Sequence, residues 1–156
     1  MILNIVYLNK QSFMFSIDHI HPMTVHFPIA LLIIGFLAEL IYLFIKKEKL
    51  FREAAFWLLA IGTVSAVASY VSGAFLTGDL RGAAGVQQNT HEFYAEITVI
   101  SSLICTVFKI YLKAEKKEDS PLKWIAFVLY GISTIAVGIT SYHGGVLVHD
   151  ILLGAG

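Results

Sequence analysis

The chain has 156 residues, of which 57% are hydrophobic and 14% charged, with a mean hydropathy of +0.75. That is too apolar for a water-soluble domain of this size, and a formal net charge of zero gives no footing for a nucleic-acid partner. The single cysteine, Cys105, excludes a disulfide framework, a Cys-x-x-Cys redox pair, a four-thiolate iron–sulfur cluster and a covalently attached c-type haem.

The first twenty residues, MILNIVYLNKQSFMFSIDHI, lack the basic start and unbroken apolar run of a secretory signal. They read as an interfacial segment, residues 1–20, ahead of one transmembrane domain, residues 21–156. Crossing the hydrocarbon core takes about 20 mostly apolar residues in a helix. Four segments qualify: Val25 to Ile45, Ala54 to Leu76, Phe93 to Leu112, and Leu122 to Tyr142. Their connections, KKEKLFRE, TGDLRGAAGVQQNTH and KAEKKEDSP, are short. The expected fold is therefore all-α, an antiparallel four-transmembrane-helix bundle. Pro22 and Pro28 bracket the start of the first helix, and Pro28 is expected to bend it beside His21 and His26. Asn89 with Glu92 resembles a capping box opening the third helix, and Ser120-Pro121 marks the start of the fourth.

Basic residues favour the cytoplasmic side of a membrane. Nine of the eleven lie in or beside the first and third connections: Lys46, Lys47, Lys49, Arg52, Lys109, Lys113, Lys116, Lys117 and Lys123. Only Lys10 and Arg81 fall opposite. Both termini and the middle connection are then expected outside, which for a multi-pass protein of a bacterial inner membrane is the periplasm. Trp57 and Trp124 suit interface anchors at the cytoplasmic ends of their helices.

With that topology all six histidines, His19, His21, His26, His91, His143 and His149, fall at the outer face. At 3.6 residues per turn His21 and His26 point about 140° apart. His143 and His149 are six residues apart, so neither pair has the spacing with which one helix chelates a metal alone. Ligands must come from different helices, as in membrane bundles that hold b-type haem between two imidazoles. Depth along the helices pairs His26 with His91 first and His21 with His149 second, with His143 as a substitute or supporting group. One or two haems are expected on this reading. Copper, zinc or iron held by His21, His26, His91 and His149, with Met23, is the alternative. A third is interfacial histidines satisfied by water and headgroups, in a structural anchor without a cofactor.

Gly62, Ala66, Ser69 and Gly73 form a small-residue stripe on the second helix, and Gly131 and Gly138 another on the fourth. Each gives either room for a planar cofactor or close helix packing. His91, Ala95, Thr98, Ser102 and Cys105 make a small, weakly polar face on the third helix that should look inward. Glu39 and Glu96 are ionisable residues within spans, and so candidates for carrying protons or for structural hydrogen bonds. Asp79 either orients a ligand histidine or ends the second helix.

At His21-Pro22-Met23-Thr24-Val25-His26-Phe27-Pro28-Ile29-Ala30-Leu31-Leu32 the chain strongly resembles a bacterial four-helix membrane family catalogued as domain of unknown function 2231. Thr77-Gly78-Asp79, His91, Glu39 and the closing Gly144-Gly145-x-Leu147-Val148 also match, so the resemblance covers nearly everything after residue 19. Many relatives end in Leu-Val-Tyr-x-His-Gly, where this chain has Leu147-Val148-His149-Asp150-Ile151. It looks more like relatives joined to cytochrome c modules, which carry Gly-Gly-x-Leu-Thr-His there; other relatives are fused to Rieske-type iron–sulfur domains. The resemblance implies periplasmic electron transfer, with the quinone pool, a periplasmic cytochrome c or another redox subunit as partners, in a homo- or hetero-oligomer. No nucleophile–base constellation or phosphate-binding loop is visible, so the chain is not read as an enzyme by itself.

Overall fold

The structure is a computed structural model that describes residues 23–76, 80–152 and 154. Four long helices account for nearly all of it. Helix α1 covers His26–Leu40 and runs on as a π-type turn, Ile41–Ile45. Helix α2 covers Lys49–Leu76, α3 Gly82–Ala114 and α4 Lys123–Val146, with a second π-type turn over Leu147–Leu152.

The first span matches its expected limits closely. Pro28 lacks the N–H that would have bonded the carbonyl of Thr24. Val25 keeps helical dihedrals, φ −64° and ψ −23°, but regular helix restarts only at His26. The proline therefore interrupts the bond ladder without ending the helical path.

The largest departure is α3, which starts at Gly82 rather than Phe93. Asn89 lies inside the helix and is no cap. The chain turns in through Gly82, whose φ of 66° suits a residue without a Cβ. No side chain caps the start; instead the Gln88 side-chain oxygen accepts the Leu80 N–H at 2.9 Å, folding the incoming chain back onto the helix, and its amide donates to Glu92 at 2.9 Å. At 33 residues α3 is about 50 Å long at 1.5 Å per residue, well beyond a hydrocarbon core of about 30 Å. His91 thus sits in its third turn, not at its start.

Cross-helix pairs show the antiparallel register. Along the α2–α3 seam Glu53 meets Lys113, Thr63 meets Thr106 and Tyr70 meets Glu96, one number rising as the other falls. Helix α1 packs chiefly on α2, and α3 chiefly on α4; the α2–α3 and α1–α4 seams are thinner. The bundle is thus two hairpins laid together. Leu32, Leu59, Cys105, Tyr130 and Val137 form the shared core, one or more from every helix.

Small residues permit the close approaches. A Cβ on Gly62 would stand 3.0 Å from Leu32 and 3.2 Å from Leu31, so at this position the α2 stripe is filled by α1. Gly35 is tighter still: a Cβ there would overlap Tyr130 Oη and lie 2.8 Å from Leu58 Cβ, an atom that no rotamer change can move. On α4, Gly138 has no atom within 4 Å of the Cβ position.

Replacing Gly35 with Ala should therefore destabilise the bundle by about 1–3 kcal/mol, the usual cost of overpacking. Gly138→Ala should be neutral or stabilising by a few tenths up to about 1 kcal/mol, the helix-propensity difference. Denaturant unfolding of both variants in the same detergent micelle measures the contrast.

Candidate functional site

Polar side chains collect at the two ends of the bundle. At one end are His26, His91, His143 and His149; at the other are the lysine-rich connections.

His91, half-buried on α3, points its Nδ1 at the carbonyl oxygen of Thr140 on α4, 2.9 Å away. A carbonyl only accepts, so Nδ1 carries the proton and the lone pair of the neutral ring is on Nε2. Gly144 lies against the same ring: a Cβ there would come within 3.1 Å of His91 Cε1 and Nδ1. Thr140 Oγ1 turns back to the Ala136 carbonyl at 2.9 Å.

His143 has the opposite tautomer. The Gln87 amide nitrogen donates to His143 Nδ1 at 2.8 Å and to the His143 carbonyl at 3.2 Å. The carbonyl contact fixes which end of the amide is the NH2, so Nδ1 accepts and the proton is on Nε2. Tyr94 stacks on the ring with centroids 5.8 Å apart and planes 4° from parallel. His143 is thereby suited to supporting α3 and α4 rather than to donating an Nε2 lone pair.

His26 is the first residue of α1 and exposed; His149 is exposed in the terminal π-type turn, a segment that packs on α3 as well as α4. Thr24 and Ser72 hydroxyls, 3.4 Å apart, join the start of α1 to the end of α2 at this same pole. Met23 is exposed. His19, His21 and Asp79, and the interfacial segment expected over residues 1–20, lie outside the described residues. Among the described residues no three His, Cys, Asp or Glu side chains converge on a point that could hold a metal ion. Gly138 and Gly145, seven residues apart on α4, have nothing within 4 Å of their Cβ positions, and the exposed Tyr142 lies on the same face between them.

Of the two intramembrane carboxylates, Glu96 is exposed and accepts a hydrogen bond from Tyr70 at 2.9 Å. Glu39 is different. It is 4% exposed and pairs with Lys109 Nζ at 2.6 Å. The two come from α1 and α3, the diagonal partners of the bundle. Lys109 Nζ also stands 5.5 Å from the ring centroid of Tyr130 on α4. Two more interactions close this end: Tyr42 donates to Asp119 at 2.9 Å, and Lys113 pairs with Glu53 at 2.6 Å.

Reading Lys109 as a loop-flanking charge missed this pair. The signal was present: Lys109 lies inside the third apolar span and continues the inward column Thr98, Ser102, Cys105 by four residues. Gln87 and Thr140 carried no comparable signal, since a glutamine in a loop-like stretch and a backbone carbonyl have no pattern to read.

Among the described residues four helices are long and apolar enough to cross a membrane, and together they define a multi-pass helical membrane protein in contact with the lipid bilayer. The chain belongs to the family described as predicted membrane protein, domain of unknown function 2231, whose model matches residues 18–155. No curated protein and no solved structure matches it.

A buried ion pair that loses one partner leaves a bare charge, whereas losing both is tolerated. Glu39→Gln and Lys109→Met alone should each cost about 3–5 kcal/mol, and the double variant should recover most of that. Thermal unfolding of the three variants in detergent reads the cycle.

Proposed function

We propose that this chain is a membrane subunit that carries b-type haem at its histidine pole and passes single electrons there, between the quinone pool and a periplasmic carrier or respiratory complex. The observation that carries the reading is the preparation of His91. Its Nδ1–H is held by the Thr140 carbonyl, the tautomer that presents Nε2 as a ligand and the arrangement commonly found behind metal-bound imidazoles. Gly144 lies against the ring, where a Cβ would come within 3.1 Å of it, so only glycine leaves the imidazole uncrowded.

His91 and His26 would hold the group between them, with His149 and His21 as the second pair if two haems are bound. When bound, such a group supplies reversible one-electron chemistry, and two imidazoles on its iron favour electron transfer over oxygen binding. Gln87 and Tyr94 fix His143, and through it the spacing of α3 and α4 around His91. Among the described residues no three ligands converge as a bare copper, zinc or iron ion would need, whereas haem needs only two imidazoles. With basic residues at the opposite pole, the histidine pole lies in the periplasm of an inner-membrane protein with both termini outside.

A second reading rests on the same contacts. His91 and His143 each tie α3 to α4, which is what a cofactor-free anchor subunit needs.

The chain purified in detergent after expression with ample haem should show a reduced-minus-oxidised b-type spectrum and one or two haems per chain by pyridine haemochrome. His91→Ala should remove haem while the protein stays folded. Gly144→Ala, which presses on the ring, should lower haem occupancy, and Gly145→Ala should not. Haem retained after His26→Ala but lost after His149→Ala would reassign the second ligand. A haem-free chain whose His91→Ala variant only loses stability would establish the anchor reading.

A further inference from the structure

The Glu39–Lys109 pair is set below the surface of the lysine-rich pole, yet it is not sealed from it. A cavity of about 30 Å³ reaches it, lined by Glu39, Lys109, Tyr42, Arg52, Glu118 and Lys123 among others. A space of that size has room for one or two waters, and the side chains of Glu39, Lys109, Tyr42 and Arg52 on its wall offer them hydrogen-bond partners. Its outer walls, Arg52 in the first turn of α2, Glu118 in the third connection and Lys123 at the start of α4, lie at that end, so it opens toward the lysine-rich face.

Beyond the pair the interior closes. Tyr130 is fully buried one helical turn from Ala126 of the cavity wall, and its hydroxyl, against Gly35, has no hydrogen-bond partner among the described residues. Further along, most hydroxyls bond within their own helices: Ser133 donates to the Leu129 carbonyl, Ser102 to Val99, Thr98 to Tyr94 and Thr140 to Ala136, at 2.8–3.1 Å. Two pairs also cross between helices, Thr63 with Thr106 at 2.9 Å and Thr98 with Thr140 at 3.4 Å, but among the described residues these bonds do not link into a chain along the bundle axis. Leu32, Leu59 and Val137 fill the space between them.

We propose that Glu39 and Lys109 form a proton-exchange site that water reaches from the lysine-rich face alone. Its ligand is the proton, delivered by water in the cavity. A hydronium ion gives its proton to the Glu39 carboxylate and leaves as water, Lys109 keeps its own proton, and the pair goes from net neutral to a single positive charge. The charged and titratable groups around Glu39 are Lys109 and Cys105 of α3, Tyr130 and Lys123 of α4, Arg52 of α2, Glu118 of the third connection and Tyr42 of its own helix. Tyr130 marks the inner limit of the site. Nothing in this assignment depends on haem binding at the other pole.

Infrared difference spectra of the full chain in lipid vesicles, recorded between buffers of different pH, test protonation directly. A carboxyl C=O band should grow as pH falls, shift in D2O, and be absent from the Glu39→Gln/Lys109→Met double variant, which removes both charges and so avoids the loss of stability of the single variants. A band unchanged in the double variant, or no pH-dependent band, would overturn the site and make the pair a static tie. Sidedness is read in a Cys105→Ala background with a membrane-impermeant trimethylammonium methanethiosulfonate added to either side of sealed vesicles. Leu43→Cys, on the cavity wall, should react from the lysine-rich side only, and Ser133→Cys from neither. Reaction of Ser133→Cys from the histidine side would overturn the one-sided assignment.

Discussion

A carboxylate and an ammonium inside a hydrocarbon layer are each too costly to leave alone, so where one is buried the other must be brought to it. Glu39 and Lys109 meet across the diagonal of the bundle, at 2.6 Å. Four helices arranged as two hairpins can bring α1 and α3 that close only if the residues between them are small or missing. Gly35, one turn from Glu39, lets α1 settle against Tyr130 of α4 and Leu58 of α2, and Gly62 lets α2 settle against Leu31 and Leu32; on α3 the fully buried Cys105 and Ser102 are small. The core is therefore narrow around the pair, and Tyr130 is the one large ring that fills what remains.

The two ends of the molecule divide the polar chemistry between them. At the lysine-rich end the contacts are ionic and join the two connections: Arg52 approaches Glu118 at 3.8 Å and Asp119 at 3.4 Å, and Tyr42 reaches Asp119. At the histidine end they are neutral, directional hydrogen bonds between helices. The first kind tolerates small displacements, since charge attraction falls off slowly with distance. The second fixes ring orientation and tautomer, because a misdirected N–H makes no bond at all. An end built to hold imidazoles in defined orientations and an end built to hold charge near water are the arrangement the proposed functions need.

Much of the fold was legible in the sequence because the bilayer leaves few options: an apolar run of the right length must be a helix, and short connections must reverse it. The first span, from Val25 to Ile45, was right nearly to the residue. The third was not. Gly82, Gly85 and Asn89 gave its first eleven residues the composition of a loop, while tertiary contacts, Gln88 to Leu80 and Gln87 to His143, hold them as helix. The inward face His91, Thr98, Ser102, Cys105 was readable from period alone, since it needs only the helix geometry. The Thr140 carbonyl behind His91 was not, because a backbone acceptor is present at every residue and only the packed structure says which one is used.

The diagonal placement of Glu39 and Lys109 also orders the birth of the protein. Each hairpin carries one of the two charges, so the first hairpin, once inserted, holds a carboxylate whose lysine has not yet been made. Until the third helix arrives that carboxylate is either neutral or turned toward the headgroups, and the half-built protein cannot settle into its final packing. The last hairpin is then drawn to the first by a specific attraction between Glu39 and Lys109 as well as by shape.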